Sequence, residues 1–392
     1  MSEIYTANVT SEQAPTTNTG QAQTSLVTPT DNSKKKKSKF TKFVFYIMAL
    51  LLIATTALSV FMAYKVYIIE KNIDNDSSDK VPTSSDSNTT NFSLLDKDAL
   101  EVLLKNASIE GQEKLLSSIK DMMEGGTSTL RLLRKLYPDK LVYGDTNGYV
   151  FKDINNELAM NNYDKNSFSI SADKNGVPTN VDYYEGEKIV SYTGIDVSKH
   201  NGKIDWEKVA ASGIDFAMIR VANRGYGTEG NLLSDERFAE NAQAATENNI
   251  AIGAYIFSEA ITIEEAMEEA DLVLSLIEPY DITYPVVIDI EDIQGDVGRN
   301  ENLTPTELTD IVLAFCNKIK DAGYTPMIYC NLKGFIGMLE FERLEGIEKW
   351  YAYYGNEMYF PYELSMWQYS SSGVVDGIEG NVDLNISFKN YK

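Results

Sequence analysis

From residue 193 onward, short apolar runs alternate with amphipathic stretches of helical period, and this alternation constrains the fold more than any other feature of the chain. The runs at 193–196, 216–220, 250–257 and 286–290 are rich in β-branched residues and bounded by turn residues, as strands buried on both faces are. Helical spacing fills the intervals at 206–212, 235–248 and 263–276, the first of them stopped by Gly213. Thr304-Pro-Thr-Glu307 is a capping box with proline at the first helical position, and the helix it opens runs to Ala322 and ends at Gly323. Repeated β–α units call for a parallel sheet, because a strand returns parallel to its neighbour only through a crossover. The expectation is an α/β fold, a modified β/α barrel of TIM type over residues 192–392. Later runs at 326–330, 350–353, 365–368 and 382–384 have less helix between them, so helices should be fewer in the last third.

Five segments precede the barrel. Residues 1–42 form a polar tail, expected to be disordered, that closes on the basic cluster Lys34-Lys-Lys-Lys-Ser-Lys39 and Lys42. A transmembrane helix is expected at 43–65: Phe43 to Tyr64 is 22 residues without a charge, about 33 Å as a helix and enough for a bilayer core. The lysines on its N-terminal side place the N-terminus in the cytoplasm and the barrel outside the cell membrane, as a single-pass protein. A cleaved signal peptide, with Ala57-Leu-Ser59 as its processing site, is the competing reading; the long leader and long apolar run disfavour it. Residues 66–91 read as a polar linker and 92–137 as a helical stalk. The stalk is a candidate for self-association or for an envelope protein partner, and packing on its own chain fits equally well. Residues 138–191 read as a small β-rich spacer, with a hairpin at Asn147-Gly148.

The net charge of −23 excludes nucleic acid as a partner, since phosphate contacts need a basic surface. Residues 194–392 hold 34 acidic against 14 basic side chains, so electrostatics alone would not hold them at an anionic wall, and a tether would. Two cysteines, Cys316 and Cys330, make no disulfide framework. A single histidine, His200, disfavours a histidine-based metal site, and no metal or cofactor is expected.

The run at 286–290 ends in carboxylates. Asp289 and Glu291 are two apart and share one face of a strand. Side by side, they cannot both ionise without cost, which leaves a proton donor beside a carboxylate, the pair that cuts a glycosidic bond. In β/α barrels functional residues gather at the C-terminal ends of strands. Asp196 ends the first run, and Asp383 lies in the last, which should neighbour the first on closure. Asp196, Asp289, Glu291 and Asp383 are thus the candidate catalytic set, with Arg220 as the nearby cation. Tyr255, Tyr329, Trp350, Trp367 and Gln368, also near strand ends, complete the substrate-binding candidates with Arg220; aromatic rings can stack on sugars, although core packing is their common use.

Gly194-Ile-Asp-Val-Ser198, His200-Asn-Gly202, Ile204-Asp-Trp206, Ala254-Tyr-Ile-Phe-Ser258, Asp289-Ile-Glu291, Met366-Trp-Gln-Tyr-Ser370 and Gly380-Asn-Val-Asp-Leu-Asn385 occur in this order. The set resembles glycoside hydrolase family 25 lysozymes over residues 193–388. The resemblance implies a modified barrel that cleaves the β-1,4 bond between N-acetylmuramic acid and N-acetylglucosamine in peptidoglycan. It implies Glu291 as general acid/base, Asp289 as its partner, and Asp196 and Asp383 as supporting acids. Two positions depart from the family pattern: Ser198-Lys199-His200 stands where Ser-His-His is frequent, and Ile256 where His is frequent. A catalytically weak glycan-binding scaffold on the same barrel, or an enzyme for another acetylated glycan such as chitin, are the competing readings.

Overall fold

The computed structural model describes residues 97–125, 128–145, 148–225, 227, 229–293 and 298–392. The expected tail, transmembrane helix and linker, residues 1–91, lie outside the described residues. Among the described residues no helix is long and apolar enough to cross a membrane. The chain divides into two compact units, whose described parts are 97–132 and 133–392.

In the first unit α1 (Lys97–Glu124) is one continuous helix, and Glu110 and Lys114 form an i,i+4 pair at 2.7 Å on it. The helix stops at Gly125, whose amide donates to Asp121 O at 2.9 Å. Ser128 Oγ accepts from Arg131 N at 3.3 Å and so opens α2 (Thr129–Leu136), which leads into the second unit.

The second unit begins with a β-rich layer. β1 (Lys140–Asp145) and β2 (Gly148–Asp153) pair as an antiparallel hairpin. β3 (Phe168–Ala172), β4 (Pro178–Glu185) and β5 (Lys188–Ile189) form a small antiparallel sheet. The barrel follows: β6 (Tyr192–Val197), β7 (Phe216–Arg224), β9 (Ala251–Phe257), β10 (Ile282–Asp289), β11 (Pro326–Asn331), β12 (Glu348–Ala352), β13 (Met366–Gly373) and β14 (Val382–Ser387), with β8 (Leu232–Ser234) hairpinned onto β7. Neighbours pair in that order, and β14 and β7 both pair with β6, so eight strands close. Pairings from β6 through β13 are parallel; β14 is antiparallel to both its neighbours. Loops alone join β12, β13 and β14, and a direct hairpin from β13 turns β14 round.

Outer cover follows the same division. α3 (Trp206–Ala211), α4 (Phe238–Glu247), α5 (Ile263–Ile277) and α6 (Pro305–Asp321) belong to the first part of the barrel. Thr304 caps α6 in the expected box with Glu307. Where helices run out, β4 lies against β6, β13 and β14 instead. Alternation along each strand then separates two cores. Phe216, Met218, Tyr284, Val287, Met327 and Met366 fill the barrel, while Ile195, Ile219, Ile252, Ile288, Ile328 and Trp367 face the outer layer. Small residues make the interior possible: a Cβ on Gly194 would sit 2.3 Å from the Phe216 ring.

Candidate active site

Asp196, Asp289 and Glu291 sit at or just past the C-terminal ends of parallel strands, and Asp383, at the start of the antiparallel β14, joins them at the same mouth. β14 runs antiparallel beside β6, so Asp383 pairs in register with Asp196, as barrel closure predicted. Asp289 ends β10 between Phe257 of β9 and Tyr329 of β11, and Glu291 follows two residues on.

Asp196 is buried and held. Its Oδ2 accepts from Gln368 Nε2 and from Asn385 Nδ2, each at 2.8 Å. Both amides are themselves oriented: Gln368 Oε1 accepts from the Tyr329 and Tyr354 hydroxyls at 2.8 and 2.9 Å, and Asn385 Oδ1 accepts from Trp350 Nε1 at 2.9 Å. Burial raises the Asp196 carboxyl above its ordinary range, and the two amides oppose the shift. Asp289 is buried without such support: it is 1% exposed, and neither carboxylate oxygen has a hydrogen-bond partner among the described residues. Burial, then the neighbouring Glu291 and Asp196, push it well above the carboxylate range. Burial and Asp196 do the same to Asp383. Glu291 is half-buried at the mouth, and burial followed by Asp196 and Glu259 pushes it up to about 7. The arrangement holds a protonated carboxyl near neutral pH next to a carboxyl with free acceptor positions.

The other sequence candidates divide. Tyr329 and Gln368 join the network around Asp196. Tyr255 and Trp350 are interior residues, 3% and 1% exposed, with rings edge to face at 6.2 Å. Trp350 also packs on Tyr329 at 4.7 Å, and it acts by orienting Asn385 rather than by lining the opening. Arg220 gives its Nε to the buried Asp235 at 2.8 Å, an ion pair the sequence did not reveal. The structure does not bring Trp367 to the mouth. Adjacent strand residues point to opposite faces, so Trp367 and Gln368 cannot both face the cleft. Gln368 points in, and Trp367 points out, fully buried against Phe168 and Tyr369, with Nε1 donating to Tyr353 O at 2.7 Å. A cavity of about 500 Å³ lies on that outer side, lined by Tyr163, Phe168, Phe360 and Trp367 among others, away from the acids.

Three site residues were missed. Asn385 stood within a quoted motif but alternates in phase with Asp383, which a strand reading would have shown. Tyr354 lies just beyond β12 and had no distinguishing signal. Glu259, after β9, is fully buried; its Oε2 accepts from Arg299 N at 2.6 Å and Asn300 N at 3.4 Å, contacts that span forty residues and leave no local trace.

Residues 195–378 match the family model described as Glycosyl hydrolases family 25. The uncharacterized protein YegX of Escherichia coli (strain K12) is 32% identical over 216 residues, which are 50% of this chain and 70% of that protein. Lysozyme M1 of Streptomyces globisporus is 28% identical over 211 residues, 49% of this chain and 66% of that one. Among solved structures, the bacterial lysozyme from Streptomyces coelicolor is similar at 26% identity and a TM-score of 0.43, covering 50% of this chain and 90% of its own. The modular autolysin LytC from Streptococcus pneumoniae is similar at 23% identity and a TM-score of 0.45, and the match spans 63% of this chain and 56% of that one.

Proposed function

The chain belongs to glycosyl hydrolase family 25, and on that premise we propose that its barrel, a glycoside hydrolase domain, cleaves the β-1,4 bond between N-acetylmuramic acid and N-acetylglucosamine in peptidoglycan. The observation that carries this reading is the pair at the end of β10: Glu291 pushed up to about 7 beside Asp289, whose two oxygens have no hydrogen-bond partner among the described residues. In the reaction Glu291 gives its proton to the glycosidic oxygen as the bond to the anomeric carbon breaks. Asp289 faces the positive charge that develops there, or the acetamido N–H beside it; either use needs free acceptor oxygens. Glu291, now a carboxylate, takes a proton from the incoming water, which completes hydrolysis and restores the acid. Burial, Asp196, fixed by Gln368 and Asn385, and Glu259 keep Glu291 protonated.

The reading extends to location. Residues 43–65 anchor the chain in the membrane with the barrel outside, which brings an acidic enzyme to the wall without electrostatic attraction, for local wall opening or remodelling. Recovery of the full chain in a washed membrane fraction is expected; full-length protein found free in the medium would overturn the anchor. For the reaction, peptidoglycan treated with the chain should gain new reducing N-acetylmuramic acid by mass spectrometry, and Glu291→Gln should gain none. A folded chain that leaves both acetylated and de-acetylated peptidoglycan uncut would overturn it.

A further inference from the structure

The layer ahead of the barrel reaches two loops that follow barrel strands. Lys333, two residues beyond β11, has its Nζ 2.8 Å from Asp292 Oδ2 and 3.2 Å from Asp145 Oδ1. Asp292 adjoins Glu291, so an ion pair joins the end of β1 to the residue next to the acid. Tyr143 presses on the same loop: a Cβ on Gly337 would sit 2.6 Å from the Tyr143 hydroxyl. The second loop follows β12. Arg134 donates from Nη1 to the Tyr353 hydroxyl at 3.2 Å, and its guanidinium lies 4.2 Å over the Tyr359 ring. Nε of the same arginine donates to Val142 O at 2.9 Å, and the Tyr359 hydroxyl donates to Lys140 O at 3.0 Å. Between those tyrosines sits Tyr354, which holds Gln368 and through it Asp196.

We infer that Asp145 and Arg134 are positioning residues for the catalytic mouth: Asp145 steadies Asp292 and Glu291 through Lys333, and Arg134 steadies Tyr354 through its neighbours Tyr353 and Tyr359. The inference rests on the hydrolase reading for its effect on turnover, but the holding contacts exist independently of it. An exposed ion pair contributes little, whereas these are half-buried and join different elements, so a moderate effect is expected. In the full chain, Asp145→Ala should lower kcat about fivefold with KM little changed, and Lys333→Gln should do the same. The double variant should be no worse than Lys333→Gln alone, because the two act as one unit. Arg134→Lys keeps the charge, loses the planar fork, and should lower kcat by a similar factor. Amide hydrogen exchange supplies the second readout: protection should fall about fivefold at 333–338 in Asp145→Ala and at 353–360 in Arg134→Lys, with the other barrel strands unchanged. Multiplicative losses in the double variant, or unaltered exchange in both loops, would overturn the proposal. A wild-type chain that cuts no peptidoglycan would defeat the hydrolase reading, and exchange would still decide whether the loops are held.

Discussion

The two ends of the barrel interior each hold a carboxyl group, half-buried Glu348 at one and buried Asp289 at the other, and treat them in opposite ways. At the N-terminal end of the strands, Glu348 is met by Lys389 Nζ at 2.7 and 2.9 Å, by the Ser365 hydroxyl and by the Tyr391 hydroxyl at 3.1 Å. Burial raises its pKa, but these partners, Lys389 foremost, outweigh burial and leave it below the ordinary range. Phe216 stacked on Tyr284 at 4.4 Å, with Tyr391 at 5.0 Å, plugs that end. At the C-terminal end Asp289 has no hydrogen-bond partner among the described residues, and its pKa moves the other way. Burial raises both, more so Asp289, and the neighbours divide them: Lys389 and two hydroxyls lower Glu348, while Glu291 and Asp196 raise Asp289 further. A carboxyl met on every side contributes to the fold; one left unmet costs stability and is ready for a substrate.

The comparison breaks most sharply at Glu291. Glu291→Gln should lower kcat by about 10²–10⁴-fold with the fold intact, read from release of reducing ends; a variant of near wild-type activity would remove Glu291 from the mechanism. Asp289→Asn should cost about 10²-fold in activity and also raise the melting temperature at pH 8. The sign follows from proton counts. The folded pKa of Asp289 lies above its unfolded value of about 3.9, so between the two the native state holds more protons and stability falls as pH rises. Asparagine removes that loss, and a lower melting temperature at pH 8 would contradict the account. Turnover itself should decline as pH rises past about 7, where Glu291 loses its proton, close to tenfold per further unit. The smallest effect on turnover belongs to the opposite end. Glu348→Gln should leave activity within about twofold while lowering stability by about 1–3 kcal/mol in denaturant titration. Its stabilising share is present above the unfolded pKa of about 4.3 and is lost as pH falls through the depressed folded value, the reverse of Asp289.

How much of this was legible in the sequence depended on the range of the signal. Strand alternation and the Thr304 box are local, and they gave the barrel and the α6 boundary. The order of the strands makes Asp196 and Asp383 neighbours, because closure joins first and last. What failed was the choice of face. Trp367 and Gln368 both looked suited to a cleft, and only the outer cover decides between them; that cover is β4, with Phe168 of β3, drawn from a segment that reads in sequence as a spacer. Partners far apart in the chain, such as Arg220 with Asp235 or Glu259 with Arg299, left no pattern to read.

The antiparallel entry of β14 has a consequence in time. Every other barrel strand precedes it in the chain, yet it fills the gap between β6 and β13 and brings both Asp383 and Asn385. A polypeptide delivered from its N-terminus therefore carries Glu291 and Asp289 long before their surroundings are complete. Until residues 382–387 arrive, the sheet has two open edges, and Asp196 lacks one of its two amide donors. The hydrolytic mouth is thereby armed last, after synthesis has delivered the rest of the barrel.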